Sequence, residues 1–410
     1  MTEYFKIKII SFFPFLLPFL VVFSRFTADL TIIVISIFFL IYSVKNYSWE
    51  WIKSKWIIFA FLFWIYCLII VSPLSDYPEK SFLYSLFFIR WPIFAAAIYF
   101  WILKDETQRK KFLLSLLVIT SFLSFDTWWQ YFFRIDIFGF EVNPHNNRLT
   151  GPFDRPIVGM WLSKISLLLP FLYLAYQNKS EKNLLLFYFI GLLLLITIFI
   201  TGERMALLLI LSSLFCLTLG LFFEKLISPL TIFIFTLLLF FIILIFYNYD
   251  STIYNRAIVS TIDKIINWKT SDYGLVWESA YMVWIKSPII GSGMHTYRDA
   301  CNDLIIYGTH NNPIGGGVCF HPHNISLELL SETGIIGFFL FFLMIIFIFL
   351  ELGNSLQEKK WFLMSINISI FIGCFFPLSA GMSIFSNKLA SIIWLIIGFC
   401  LAFNRYRSKF

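Results

Sequence analysis

Apolar runs long enough to cross a bilayer constrain this chain more than any motif in it. A hydrocarbon core about 30 Å thick takes roughly 17–25 consecutive apolar residues in a helix. Twelve such runs are readable, over 9–24, 28–44, 56–72, 81–103, 111–132, 157–176, 183–201, 205–223, 226–247, 324–350, 361–380 and 387–403. The expected fold class is therefore an all-α polytopic membrane protein with about 12 transmembrane helices. Composition agrees: 13% of the 410 residues are charged and 59% are hydrophobic, where a soluble domain carries about 25% charge. Pro14 and Pro18 interrupt the first run, which has no small-residue cleavage site after it and reads as a span rather than a signal peptide. No internal repeat or Gly/Ser-rich linker is visible, so residues 1–410 read as a single integral membrane domain.

Basic residues set the orientation. With the N-terminus inside, the inner intervals carry Lys6, Lys8, Lys45, Lys53, Lys55, Lys104, Arg109, Lys110 and Lys111, with further lysines in later ones. The outer turns hold fewer, among them Arg25, Lys80, Arg134 and Lys388. This places three polar intervals on the outer face: 133–156, the tight turn 201–204, and a large loop, 248–323, between the ninth and tenth spans. Because the basic residues sit in short loops between spans, the net charge of +7 is not a nucleic-acid signal. The bilayer is the expected surroundings, and no nucleic acid is expected as a partner.

The exit of the long loop, from Cys301 to Gly337, gathers the most chemistry. Cys67, Cys216, Cys374 and Cys400 fall in spans, as small buried thiols do. Cys301 and Cys319 are the pair in the loop. They read either as a disulfide, giving about 3 kcal/mol of local order, or as two free thiols. The pair lacks the short spacing of a structural zinc site. His321 and His323 bracket a proline, and Asn324 starts a helix that carries Glu328 and Glu332. Earlier in the loop, Val276, Ala280, Val283 and Trp284 recur at helical spacing, so 273–286 forms a helix lying on the membrane or packed on its neighbours. Gly291-Ser292-Gly293 has no strand before it and no third glycine after it, and reads as a turn.

Charged side chains inside apolar runs need a partner or a purpose. Arg90, Asp126 and Lys164 are such residues, and either account fits them. Arg204 stands in TGERMALLL, between two spans with almost no loop. A planar guanidinium there suits a diphosphate; the alternative is an ion pair with Glu203. Arg148 and Arg155 flank a Gly-Pro turn, and Arg256 follows the ninth span. Each lines an anionic pocket or sits in the headgroup layer. His323 is either a base, since an imidazole accepts a proton near neutrality, or a hydrogen-bonding residue. No Asp-x-Asp pair stands in the loops to hold a divalent metal.

Four segments, RLTGPFDRPIVGMWLSK, TGERMALLL, VWESAYMVWIKSPIIGSGMHTYRDAC and CFHPHNISLELLSETGIIG, resemble the O-antigen ligase and O-antigen polymerase superfamily of bacterial inner membranes. The last, with its HxN-type histidine, is the most specific. The first 130 residues are similar only in being apolar spans. The resemblance implies a C-class glycosyltransferase-like fold, multi-pass in the inner membrane, with a large periplasmic loop over the active site. It implies transfer of a glycan from undecaprenyl diphosphate to an acceptor hydroxyl, with inversion and without metal or cofactor. Carried onto this chain, it makes Arg204 the diphosphate ligand and His323 the base. Arg256, Arg155, Arg148, Asn324, Glu328 and His321 are expected to contact diphosphate or acceptor. A ligase acts on the lipid A-core and a polymerase on a second lipid-linked glycan. The loop between the ninth and tenth spans favours the ligase, and a protein-directed glycan ligase is a further alternative. The reading from another class is a transporter or flippase of a lipid-linked or anionic substrate, with Arg90 and Lys164 on its pathway. That reading needs matched halves, which the sequence lacks.

Overall fold

Each apolar run has to close its own backbone hydrogen bonds where no water reaches, and only a helix does so within one segment. The computed structural model describes residues 2–143, 147–176, 181–306, 319–353, 360–379 and 381–406. Part of the expected outer loop, 307–318, lies outside the described residues. In chain order the main helices are α1 (Thr2–Val22), α2 (Arg25–Lys45), α3 (Lys55–Leu74), α4 (Pro78–Ile102), α5 (Glu106–Phe133), α6 (Val158–Tyr176) and α7 (Glu181–Ile200). They continue as α8 (Arg204–Phe223), α9 (Pro229–Tyr249), α10 (Asp272–Lys286), α11 (Tyr297–Ile306), α12 (Ile325–Leu352), α13 (Trp361–Phe375) and α14 (Asn387–Tyr406).

Among the described residues, nine helices are long and apolar enough to cross a membrane: α2–α6, α8, α9, α12 and α14. Three shorter apolar stretches, Phe12–Val22, Leu186–Ile200 and Trp361–Phe375, fall on three further runs of the sequence. Packing divides the chain into two compact units that alternate along it. The first is Met1–Val22, Asp105–Ile266 and Gly353–Cys374; the second is Phe23–Lys104, Asn267–Leu352 and Phe375–Phe410.

In the first unit, α5 packs on α1, and α6 packs on α8. The buried stripe of α5 is Phe112, Leu116, Ile119, Leu123, Thr127 and Gln130, at three- and four-residue spacing. Gln130 spends its whole amide on the chain that follows. Its carbonyl accepts from the N–H groups of Thr150 (2.8 Å) and Gly151 (3.0 Å), and its NH2 donates to Phe140 O and Thr150 Oγ1. The 147–156 segment is thereby fixed to the end of α5. Asp126 Oδ1 accepts from Ile137 N–H at 3.0 Å, and Lys164 Nζ donates to Gly373 O at 2.7 Å. These two intramembrane charges have structural partners. None of the α9 residues is fully buried; Phe235 and Phe246 pack on Tyr188 and Phe199 of α7, with ring centroids 5.1 and 4.8 Å apart, and much of the remaining apolar surface is exposed.

In the second unit, α12 packs along α3, and α14 packs on α4. Apolar lipid tails give such seams no hydrophobic drive, so close packing has to supply the attraction. Phe63 meets Phe341 edge-on at 5.3 Å, a geometry worth about 0.5–1.5 kcal/mol in other proteins. Arg90 donates to Asn387 Oδ1 at 2.8 Å, lies 3.6 Å from Asp29 and stacks over Trp91, so this charge too is held by partners.

α12 is kinked at Gly334. Gly334 has φ 64° and ψ −173°, outside helical values, and a Cβ there would come within 2.1 Å of Ile289 O. Only glycine fits both conditions. The broken helix bonds are replaced by the 288–293 stretch: Ser292 N–H donates to Ser331 O, Gly293 N–H to Glu332 O and Ile335 N–H to Pro288 O. Tyr66 Oη donates to the carbonyls of Thr333 and Ile289. The GSG segment is thus a turn, built to lie across a bent helix.

Candidate functional site

The arginines of the first unit gather around the 201–203 turn between α7 and α8. Gly202 has φ 69°, and a Cβ there would lie 3.0 Å from Arg256 Cδ and 3.7 Å from Arg148 Cγ. The aliphatic stems of both arginines therefore cross this glycine. Arg256 Nε donates to Gly202 O at 3.0 Å, and Arg148 Nη2 donates to Pro156 O at 2.6 Å. Arg204, the first residue of α8, donates from Nη1 to Ser260 Oγ at 2.9 Å. Ser260 lies one helical turn beyond Arg256, so both arginines are tied to the same 255–260 segment. Arg155 stands apart: its side chain is 69% exposed, and its pair with Asp154 is long at 3.9 Å.

Glu203 points away from Arg204. Its carboxylate accepts from Gly159 N–H (2.8 Å) and Met160 N–H (3.1 Å), capping the first turn of α6 where Ile157 offers no side-chain cap. Arg148 lies 3.6 Å from its other side. Burial pushes the Glu203 carboxyl up to about 7, against the opposing pull of Arg148, the two N–H groups and Arg256. One carboxyl thus stands among the guanidinium groups of Arg148 and Arg256, with Arg204 turned to Ser260. The local charge is positive, and the hydrogen-bond partner of Arg204 is a neutral hydroxyl. Such a cluster holds an anion with several forks.

The histidines belong to the second unit. Below them Val276, Ala280, Val283, Tyr297, Ala300, Cys301 and Cys319 form a small core. Cys301 and Cys319 are joined by a disulfide with Cα atoms 5.5 Å apart. Asn324 Oδ1 accepts from Ser326 and Leu327 N–H and caps α12. Glu328 Oε2 accepts from Ile384 N–H at 3.2 Å, and Glu332 accepts from His295 and Tyr297 N–H. The two carboxylates fasten the chain segments around the first turns of α12.

His323 has φ 51°. Its ring lies 3.8 Å from that of His321 and 5.9 Å, edge-on, from that of Tyr273. Both ring nitrogens of His321 are engaged: Nδ1 accepts His323 N–H at 3.1 Å, and Nε2 lies 3.2 Å from Gly381 O. Burial, with His323 adding to it, pushes the His321 imidazole down to about 3. His295, against Tyr84, is pushed down to about 4 by burial and Lys80. Both rings are neutral at physiological pH.

Three of the four arginines expected from the sequence, Arg148, Arg204 and Arg256, therefore share one turn. His321, His323, Asn324 and Glu328 share the entry to α12. Gln130, Ser260 and Tyr273 were not singled out by sequence reasoning. Each is a common residue in an unremarkable stretch, and only its folded partner gives it meaning.

No curated protein matches the chain. The family model described as O-antigen ligase matches residues 189–342, a stretch from within α7 into α12. It includes Arg204, Arg256, the disulfide, His321 and His323, and leaves Arg148 and Arg155 outside it. Over that stretch the chain is similar to the O-antigen ligase and polymerase superfamily.

Proposed function

We propose that this protein is an O-antigen ligase-type glycosyltransferase of the bacterial inner membrane. In this reading it spans the bilayer twelve times, the three shorter apolar helices included. It takes a glycan from undecaprenyl diphosphate and joins it to a sugar hydroxyl of the lipid A-core at the periplasmic face. The observation that carries the reading is the arginine turn, lying largely within a segment of ligase character.

The chemistry asks for two things. The acceptor oxygen attacks the anomeric carbon from the side opposite the diphosphate, so a C–O bond forms as the C–O bond to phosphate breaks, and the centre inverts. The diphosphate leaves with the bonding pair, and cations fixed where that charge develops lower the barrier. Arg204 and Arg256 supply them, with Arg148 beside them. The hydroxyl proton passes to His323, a step worth roughly 10²–10⁴-fold. Asn324 and Glu328 hold the histidine's helix entry in place. Arg155, more exposed, serves the approach of the anionic headgroup.

The test is a deletion strain examined by lipopolysaccharide gel and complemented with variants. Loss of the gene should leave long carrier-linked chains and bare core. Arg204→Ala and His323→Ala should fail to complement while remaining in the membrane at wild-type level. Core bearing a single repeat would indicate a polymerase, with a second lipid-linked glycan as acceptor. Full complementation by Arg204→Ala would remove it from the site.

A further inference from the structure

His323 occupies the left-handed backbone region, φ 51°, which residues other than glycine seldom hold without local support. The support comes from the residue two places before it. His323 N–H donates to His321 Nδ1 at 3.1 Å. This is a side-chain-to-backbone bond closing a tight turn, as Asn and Asp do in Asx turns. A ring nitrogen that accepts an N–H carries no proton of its own, so in the neutral ring the proton sits on Nε2. Nε2 then donates to Gly381 O, 3.2 Å away. The two contacts together fix the tautomer as well as the position of the ring.

The far end of this clamp is anchored. Three residues beyond Gly381, Ile384 N–H donates to Glu328 Oε2 at 3.2 Å. Glu328 lies one turn into α12, and its N–H donates to the carbonyl of Asn324, the residue after His323. Pro322, between the two histidines, is buried and has its φ set by its ring. His321 therefore joins the 381–384 segment to the backbone of His323, and both ends are tied to the start of one helix. The low proton affinity of its imidazole suits this, because a protonated ring loses the acceptor that the turn requires.

We propose that His321 is a positioning residue rather than a substrate ligand: a neutral, Nε2-protonated ring whose Nδ1 holds the His323 backbone in the turn that presents the His323 imidazole. This rests on the reading of His323 as the proton acceptor.

The experiment compares glycan transfer by His321→Asn, His321→Gln, His321→Leu and His323→Ala, each purified as the full chain and checked for monodispersity. Asparagine puts a carboxamide oxygen near the place of Nδ1 and keeps the turn. Glutamine reaches toward Gly381 but carries its oxygen one methylene too far. His321→Leu and His321→Gln should lose about 10–100-fold in kcat with little change in donor KM, since a displaced base slows chemistry without weakening diphosphate binding. His321→Asn should recover to within a few-fold of the wild type. Wild-type kcat in His321→Gln would overturn the proposal. So would His321→Asn no better than His321→Gln, and this comparison stands even where the leucine variant misfolds. Full activity in His323→Ala would instead overturn the base reading, whatever the His321 variants do.

Discussion

Arg204 and Glu203 are neighbours in sequence, yet they face different partners. Adjacent residues at a helix start diverge by about 100° around the axis, so a side chain seldom meets the next one. Glu203 turns to the free N–H groups of α6, and Arg204 to Ser260. A pH dependence follows from the buried carboxyl. Glu203 ionises near 4.5 in an unfolded chain and about 7 in place, so the folded state holds the extra proton between those values. Stability should fall as pH rises from about 4.5 to 7 and then level off, a loss on the order of 3 kcal/mol from this group. His295 and His321 act in the opposite sense. Each is depressed below its unfolded value, so their contribution is lost as pH falls from about 6.5. The comparison that isolates Glu203 is melting temperature in detergent at pH 5 and pH 8, wild type against Glu203→Gln. The variant should lose less on going to pH 8. Equal losses would mean that Glu203 is already ionised at pH 5.

Among the elements, the helices were legible because the bilayer imposes a length and a polarity on each run. The cap at Asn324 was legible too, since Asn before an apolar run is a local signal. The cause of the bend in α12 was not. The GxxG of Gly334–Gly337 reads as a turn inside the run 324–350, but the carbonyl that forbids a side chain at Gly334 belongs to Ile289, far back in the chain. Gln130 escaped notice for the same reason: its four hydrogen bonds go to residues 10–21 positions ahead. Two predictions belong to this scale. Gly334→Ala combines a positive φ with a 2.1 Å clash, a form of strain that costs well over 1 kcal/mol. It should lower the yield of monodisperse protein sharply, whereas Gly139→Ala, with a φ of 95° but nothing within 4 Å of its Cβ position, should lose only the backbone strain, about 1–2 kcal/mol. Equal yields would show that the bend is not rigid. Cys319→Ser removes a bridge between residues 18 apart, worth about 3 kcal/mol of local order. It should speed proteolysis near 297–306, and an unchanged digestion rate would mean that the small core holds the loop without the bridge.

For the molecule as a whole, the proposed reaction raises the question of what would neutralise a leaving diphosphate. Many transferases acting on diphosphate donors use a divalent cation held by acidic side chains. In the proposed reaction fixed guanidinium groups would supply the positive charge: Arg148 and Arg256 lie across Gly202, and Arg204 is anchored through Ser260. The acidic residue beside these groups, Glu203, is engaged as a helix cap, and in the second unit Glu328 and Glu332 fasten backbone N–H groups. Among the described residues, no three His, Cys, Asp or Glu side chains converge. Fixed cations and a bound metal predict different responses to solution conditions. A chelator such as EDTA should leave the transfer rate of purified protein within about twofold, whereas Arg204→Lys should reduce it by roughly 10-fold or more, because an ammonium keeps the charge but loses the fork. A rate that collapses on chelation and returns with added magnesium would assign the leaving-group charge to a metal, and the arginines to binding alone.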